Sequence, residues 1–300
     1  LRQSALVDWR KMEYSKGLRT SLAGQSMRDH LHFAVNGKPL RVDGQDAFLT
    51  LSEFLRRRCQ LVGTKIVGSE GDCGSCTVLV GRRRNGKFVY HPVDSCIQLV
   101  SQVDGAHVVT VEGLSQNGNL TPVQQAMIDC HGSQCGFCTP GFVVAMTGLL
   151  ERGTRLTDDE WRCGLTGNLC RCTGYSPIFT AADRVDPSSV QPLSDLYAER
   201  PWRAALAESA AESFCIQSEQ GPGARRLFGP TTLDETVRIL HDNSELQVVA
   251  GATDVGVQLN KRAIDPAGWL DLNRVDELTG IKIENNEIDV GARATWSDIE

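Results

Sequence analysis

Early in the chain, apolar and polar residues alternate. In HLHFAVNGKPLRVD, His30 to Asp43, the apolar positions Leu31, Phe33 and Val35, then Leu40 and Val42, flank Asn36-Gly37. Period-two alternation on both sides of Asn-Gly predicts a β-hairpin. The next stretch, LTLSEFLRRR, places Leu51, Phe54 and Leu55 at helical spacing, with Thr50 or Ser52 as the cap. CTVLVG, KFVYHPV and HVVTVEGL then read as three strands, so residues 30–115 predict a small α+β domain with strands packed around one helix.

The period changes over residues 116–186. TPVQQAMIDCH offers Thr121 as N-cap and Pro122 at the first helical position, and TPGFVVAMTGLLERG repeats that opening with Thr139 and Pro140. Thr157 to Glu160 has capping-box spacing, and a last helix runs from Ser176-Pro177 towards Val185. Four short helices predict a bundle. Residues 187–226 read as a Pro-, Ser- and Gly-bearing linker with one helix around Trp202 to Glu212. Residues 227–300 begin a further α+β unit: TTLDETVRILHD as helix, LQVVAGATDVG as a strand entering a glycine turn, then WLDLNRV, GIKIENN and EIDVGAR as strands, with Thr295 capping a final helix. No hydrophobic closure of this third core is visible within those residues. Residues 1–29 have no clean period and read as a disordered leader. The expected fold is therefore α+β and multidomain, which suits 300 residues at about 100 to 200 per domain.

A net charge of −6 argues against nucleic acid or an anionic membrane as partner. The basic run Arg82, Arg83, Arg84 is expected in a solvated hairpin loop. No run of about 18 apolar residues occurs, so no membrane span is expected. With no secretory signal at the start of the sequence, a cytoplasmic location is the expectation.

Eleven cysteines change the picture, because clustered thiols in a reducing compartment point to metal or redox chemistry. Cys59, Cys130, Cys163 and Cys215 are scattered and read as small buried hydrophobes. The rest form sets. In SEGDCGSC, Cys73 and Cys76 sit among Gly71 and Gly74, with Cys96 beyond, as in a loop curled around a [2Fe–2S] cluster whose amides approach the sulfurs. QCGFC supplies Cys135 and Cys138, and LCRC supplies Cys170 and Cys172, a four-thiolate set that suits zinc or an iron–sulfur cluster. The turn in VVAGATDVG has the backbone freedom at Gly251 and the hydroxyl of Thr253 to meet a pyrophosphate. His91, His107, His131 and His241 are scattered and read as structural or surface groups, and no residue reads as a catalytic acid or base.

EGDCGSCTV, QCGFCTPGF and GNLCRCTGY, in that order and followed by VVAGATDVG, resemble the xanthine dehydrogenase family of molybdenum hydroxylases, over about residues 30–300. The resemblance implies a ferredoxin-like [2Fe–2S] domain, a four-helix [2Fe–2S]-binding domain and the start of an FAD-binding domain. It implies that Cys135, Cys138, Cys170 and Cys172 hold the cluster nearer molybdenum, with Gln134 near the pterin of a large partner subunit. Cys73, Cys76 and Cys96 hold the cluster nearer flavin, and Val248, Val249, Ala250, Gly251, Ala252, Thr253, Asp254 and Val255 contact FAD. The family pattern also places a cysteine five residues before Cys73, where this chain has Gly68. Three readings of that position stand together: the first cluster is lost or labile; Cys59 or Ser69 substitutes; or the glycine is a sequence error or damaging variant.

The implied function is electron transfer from a molybdenum site oxidising xanthine or hypoxanthine in the partner, through two [2Fe–2S] clusters, to FAD and NAD+. The rivals are a zinc-stabilised, non-catalytic binding module and the equivalent subunit of an aldehyde- or carbon monoxide-oxidising hydroxylase.

Overall fold

The structure, a computed structural model, describes residues 21–22, 25–84, 86–115, 118–198, 200–219, 224–284 and 287–299. Most of the leader lies outside these residues. Its end departs from the expectation of disorder: β1 (Ser21–Leu22) pairs with β2 (Gln25–Ser26), Met27 is buried, and Arg28 bridges to Phe214.

The alternating run forms β3 (Leu31–Val35) and β4 (Lys38–Val42), antiparallel, with Val35 opposite Lys38. Asn36 and Gly37 take φ of 48° and 78°, the positive values that a two-residue hairpin turn with the right twist requires. Thr50 caps α1 (Leu51–Arg57), its side chain accepting from the Glu53 N–H at 3.4 Å. With β5 (Thr77–Arg84), β6 (Lys87–Asp94) and β7 (His107–Val109) the sheet has the order β4-β3-β7-β5-β6, parallel only between β3 and β7. The interior strand β5 is buried on both faces over Thr77 to Gly81. Val78 and Val80 share a core with Phe54 and Leu55 of α1, while Leu79 joins the core of the helical unit with Phe142 and Met146. Arg82, Arg83 and Arg84 lie in β5 and not in a loop. Arg83 and Arg84 are exposed, whereas the Arg82 guanidinium turns inward and donates to the Gln102 carbonyl.

The helical unit comprises α2 (Pro122–Asp129), α3 (Thr139–Leu150), α4 (Asp158–Gly164) and α5 (Ser176–Arg184). Thr121 with Gln124 and Thr157 with Glu160 form reciprocal capping boxes. Thr139 is not a cap: Cys138 holds that place, and the Thr139 hydroxyl donates to Ser133 Oγ at 2.8 Å.

Residues 187–226 carry more structure than a linker. They contain α6 (Leu193–Leu196), α7 (Trp202–Ala210) and β8 (Phe214–Ser218). Leu193, Tyr197, Trp202 and Leu206 are buried in the core that the helical unit shares with β5 and β6, so their partners are remote and composition conceals them. Strand β8 pairs with β9 (Arg225–Gly229), and the third unit continues through α8 (Leu233–Asp242), β10 (Gln247–Val249), α9 (Val255–Asn260) and β11 (Gly268–Asp271). Its sheet order is β10-β11-β9-β8, and its core is closed by Met27 and Cys215, both outside 227–300. A hairpin of β12 (Ile281–Glu284) and β13 (Glu287–Val290) follows, then α10 (Trp296–Ile299), before which Thr295 donates its hydroxyl to Asp298 at 2.7 Å. Of the scattered cysteines, Cys215 is buried and Cys59 and Cys130 are half-buried, but Cys163 is exposed and is not a core residue.

Candidate functional site

Cys135 and Cys138 lie between α2 and α3; Cys170 and Cys172 lie between α4 and α5. Folding the bundle brings the four thiols together as two facing pairs, Cys138 with Cys170 and Cys135 with Cys172. Burial, then the Cys170 contact, pushes the Cys138 thiol up to about 12, and the bond to Cys135 raises Cys172. Cys170 Sγ is 3.1 Å from Thr173 Oγ1, and its backbone N–H donates to Tyr175 Oη at 3.0 Å. Two pairs suit a two-iron cluster held by four thiolates. Among the described residues no three His, Cys, Asp or Glu side chains are close enough to hold a metal ion as they stand, so ligation of a cluster or of zinc requires the two pairs to close on each other. Cys135 and Cys172 are exposed, as is Gln134, and Phe137 and Leu169 beside them are 47% and 50% exposed, so this site opens at the surface.

In the first loop Cys76 and Cys96 are buried and face each other. The bond from Cys76 holds Cys96 below the ordinary thiol value and drives Cys76 upward. Cys76 Sγ is also 3.5 Å from Asp94 Oδ1. Cys73 has a hydroxyl neighbour instead of a sulfur one, Ser75 Oγ at 3.7 Å. Gly68 supplies no donor atom, so the three matched cysteines do not complete a four-donor set. Cys59 packs against the core beneath the sheet, where burial raises its thiol to about 11 and its charged neighbour is Lys38, on β4. It does not join the loop.

The two cysteine loops touch. Leu169 N–H donates to the Cys73 carbonyl at 3.0 Å, and Asn168 Nδ2 donates to the Gly74 carbonyl at 3.1 Å. Glycines allow the approach: a Cβ on Gly141 of α3 would lie 2.0 Å from the Gly74 oxygen. On the opposite side, Asn260 at the end of α9 donates its amide to the carbonyls of Ser69 and Cys96, both at 2.8 Å, and Lys261 pairs with Glu70 at 2.9 Å. A Cβ on Gly256 would meet the Ile97 oxygen at 2.4 Å. Nothing in the local pattern around Asn168 or Asn260 marks them, because their acceptors are carbonyls nearly a hundred or more residues away.

The segment Val248 to Val255 runs from β10 through a turn to α9. Ala250 and its carbonyl are fixed by Gln102 Nε2 and Asn273 Nδ2, both donating at 2.6 Å. Ala252, not Gly251, takes the positive φ, 61°, and is buried. Gly251 faces open space, its virtual Cβ meeting only Thr253 Cγ2 at 4.0 Å. The amides of Gly251, Ala252, Thr253 and Asp254 donate to no acceptor among the described residues. Unpartnered N–H groups around an exposed turn fit the anionic part of a dinucleotide.

Thiol pairs in one domain, a cysteine loop in the next and an amide-lined turn in a third define an iron–sulfur and flavin-binding chain. Residues 110–183 match the [2Fe-2S] binding domain family, and residues 223–300 match the FAD binding domain in molybdopterin dehydrogenase. Xanthine dehydrogenase of Drosophila pseudoobscura pseudoobscura is 32% identical, covering 93% of this chain and 24% of that protein. Xanthine dehydrogenase of Blastobotrys adeninivorans is 42% identical over 55% of this chain and 12% of its own length. Aldehyde oxidase 1 of Macaca fascicularis is 29% identical over 90% of this chain and 23% of its own. The chain thus spans at most about a quarter of these relatives. It belongs to the molybdenum hydroxylase family and corresponds to the iron–sulfur and FAD region. No helix among the described residues is long and apolar enough to cross a membrane.

Proposed function

We propose that this chain carries electrons from a molybdenum site in a large partner subunit towards FAD and NAD+, in a hydroxylase of the xanthine dehydrogenase type. The observation that carries the reading is the series of direct bonds: Leu169 to Cys73 between the cysteine loops, then Asn260 to Ser69 and Cys96 between the first loop and the helix behind the flavin turn. When bound, iron–sulfur clusters hand on single electrons and FAD collects them in pairs.

Cys135, Cys138, Cys170 and Cys172 would hold the cluster at the exposed face, where Gln134, Phe137 and Leu169 are available to the partner. Cys73, Cys76 and Cys96 bring three thiolates to the inner site, and Val248 to Val255 line the flavin. Aldehyde oxidation in the partner is the second reading, favoured by the likeness to aldehyde oxidase 1 across nine-tenths of this chain. The test is iron, acid-labile sulfide and flavin per chain after anaerobic purification. Cys135→Ser and Cys170→Ser should each abolish the outer cluster, removing about two irons. A colourless, zinc-loaded protein would overturn the reading.

A further inference from the structure

We propose that Thr173 is a positioning residue for the outer cluster: its hydroxyl donates to Cys170 Sγ once that sulfur ligates iron, and so raises the reduction potential of the cluster. The inference rests on the reading that Cys135, Cys138, Cys170 and Cys172 hold a [2Fe–2S] cluster.

Geometry fixes the direction of the bond. Thr173 Oγ1 lies 3.1 Å from Cys170 Sγ and accepts from the Tyr175 N–H at 3.2 Å. One lone pair of the hydroxyl is thereby engaged, and its hydrogen is free to point at the sulfur. In the free thiol either atom can donate. Ligation releases the thiol proton to solvent, and the sulfur is then an acceptor only. The contact persists as a charge-assisted O–H···S bond to a thiolate.

The turn that presents the hydroxyl is held from several sides. Gly174 and Tyr175 take successive φ values of 67° and 69°, which a bulky residue such as tyrosine rarely adopts. Strain of this kind persists only where the surroundings impose it. Two bonds do so here: the Tyr175 N–H to Thr173, and the Cys170 N–H to Tyr175 Oη at 3.0 Å. The Tyr175 ring also packs against Phe142 of α3 and Phe179 of α5, at centroid distances of 6.4 and 6.5 Å. With its own amide committed to the phenol, the Cys170 sulfur has Thr173 as its donor.

Among the described residues, the sulfurs of Cys135, Cys138 and Cys172 have no hydroxyl partner. In the inner loop Ser75 Oγ stands farther off, 3.7 Å from Cys73 Sγ. Hydrogen bonds to the sulfurs offset the negative charge gained on reduction, which raises the potential. That step takes one electron from the molybdenum partner and makes or breaks no bond, so the hydroxyl acts through charge alone. Cys170 also follows Leu169, whose N–H donates to the Cys73 carbonyl at 3.0 Å. The tuned sulfur is therefore the one beside the contact between the loops.

The test is a dithionite titration of the full chain, reconstituted anaerobically with iron and sulfide and followed by electron paramagnetic resonance, in wild type, Thr173→Val and Thr173→Ser. Cys135→Ser identifies the outer signal as the one it loses. Valine keeps the shape of threonine without the hydroxyl, so Thr173→Val should keep the outer signal, alter its g-values and move its midpoint to a more negative potential. Any inner signal should stay in place. Thr173→Ser should restore the wild-type midpoint. A Thr173→Val midpoint equal to that of wild type would overturn the proposal. A Thr173→Ser midpoint as negative as that of Thr173→Val would overturn it by showing that bulk, and not the hydroxyl, sets the potential. Loss of about two irons and of the outer signal in Thr173→Val would overturn it in favour of a role in assembling the site. An outer signal missing from wild type as well would overturn the reading of the four cysteines itself.

Discussion

Gly141 and Gly68 are both glycines beside the first cysteine loop, yet they meet opposite surroundings. A Cβ on Gly141 would sit 2.0 Å from a backbone oxygen, whereas one on Gly68 meets a single movable carboxylate oxygen. Gly141→Ala should therefore push α3 off the loop, at a cost of about 1–3 kcal/mol in a urea titration. Gly68→Ala should leave that midpoint nearly unchanged. His107 gives a pH prediction. The Gly37 N–H donates to its Nε2 at 3.0 Å, so the neutral ring carries its proton on Nδ1, 2.8 Å from Tyr90 Oη. Burial, then Arg203, depresses its pKa from 6.5 to about 3. Between those values the unfolded chain binds a proton that the folded chain refuses, so this contribution to stability is full above pH 6.5 and is lost as pH falls towards 3. The urea midpoint should drop on acidification, and His107→Gln should reduce that drop. The convergence of Cys135, Cys138, Cys170 and Cys172 was legible because close spacing within each of two loops leaves only the bundle to bring the loops together. The bond from Asn168 to the Gly74 carbonyl was not, because spacing does not say which remote acceptor a side-chain amide will meet.

Helix starts were the most legible elements, since a cap is a local contract among four residues. Thr157 accepts from the Glu160 N–H at 3.3 Å while Glu160 accepts from the Thr157 N–H at 2.8 Å. Thr157→Ala should cost about 1 kcal/mol, read as a lowered denaturant midpoint. Thr139 carried the same Thr-Pro signal, but its hydroxyl found Ser133 and the cap fell to Cys138. Arg82 was misread because a basic triplet suggests a loop, while its actual acceptor, the Gln102 carbonyl, is twenty residues away. The same holds for α6 and α7, whose buried residues pack into a core built mainly by other segments. Docking of α9 depends on Asn260. Asn260→Leu should free it from the first loop, seen as faster hydrogen exchange in both segments with the cores intact.

At the scale of the molecule, the flavin-binding unit is locked to the ferredoxin-like unit by a buried ion cluster. Asp104, whose side chain is 0% exposed, meets Arg28 at 2.7 Å and Arg274 at 2.9 Å, and accepts from the His32 N–H at 2.7 Å. Asp104→Asn leaves the nearly buried Arg274 without its counter-charge and Arg28 with only the exposed Glu212 carboxylate at 3.5 Å, a change that costs about 3–5 kcal/mol. Loosened domain docking should appear as new proteolytic cleavage. None of these partners is adjacent in sequence, so the domain order could be read along the chain but its clasp could not. The two cysteine loops are held in contact, in series with the helix that follows the flavin turn. The most direct measurement is electron paramagnetic resonance of the fully reduced, anaerobically reconstituted protein at low temperature. Loops joined by the Leu169–Cys73 bond predict two iron–sulfur signals broadened or split by each other. Two signals with no mutual interaction, or no signal at all, would contradict it.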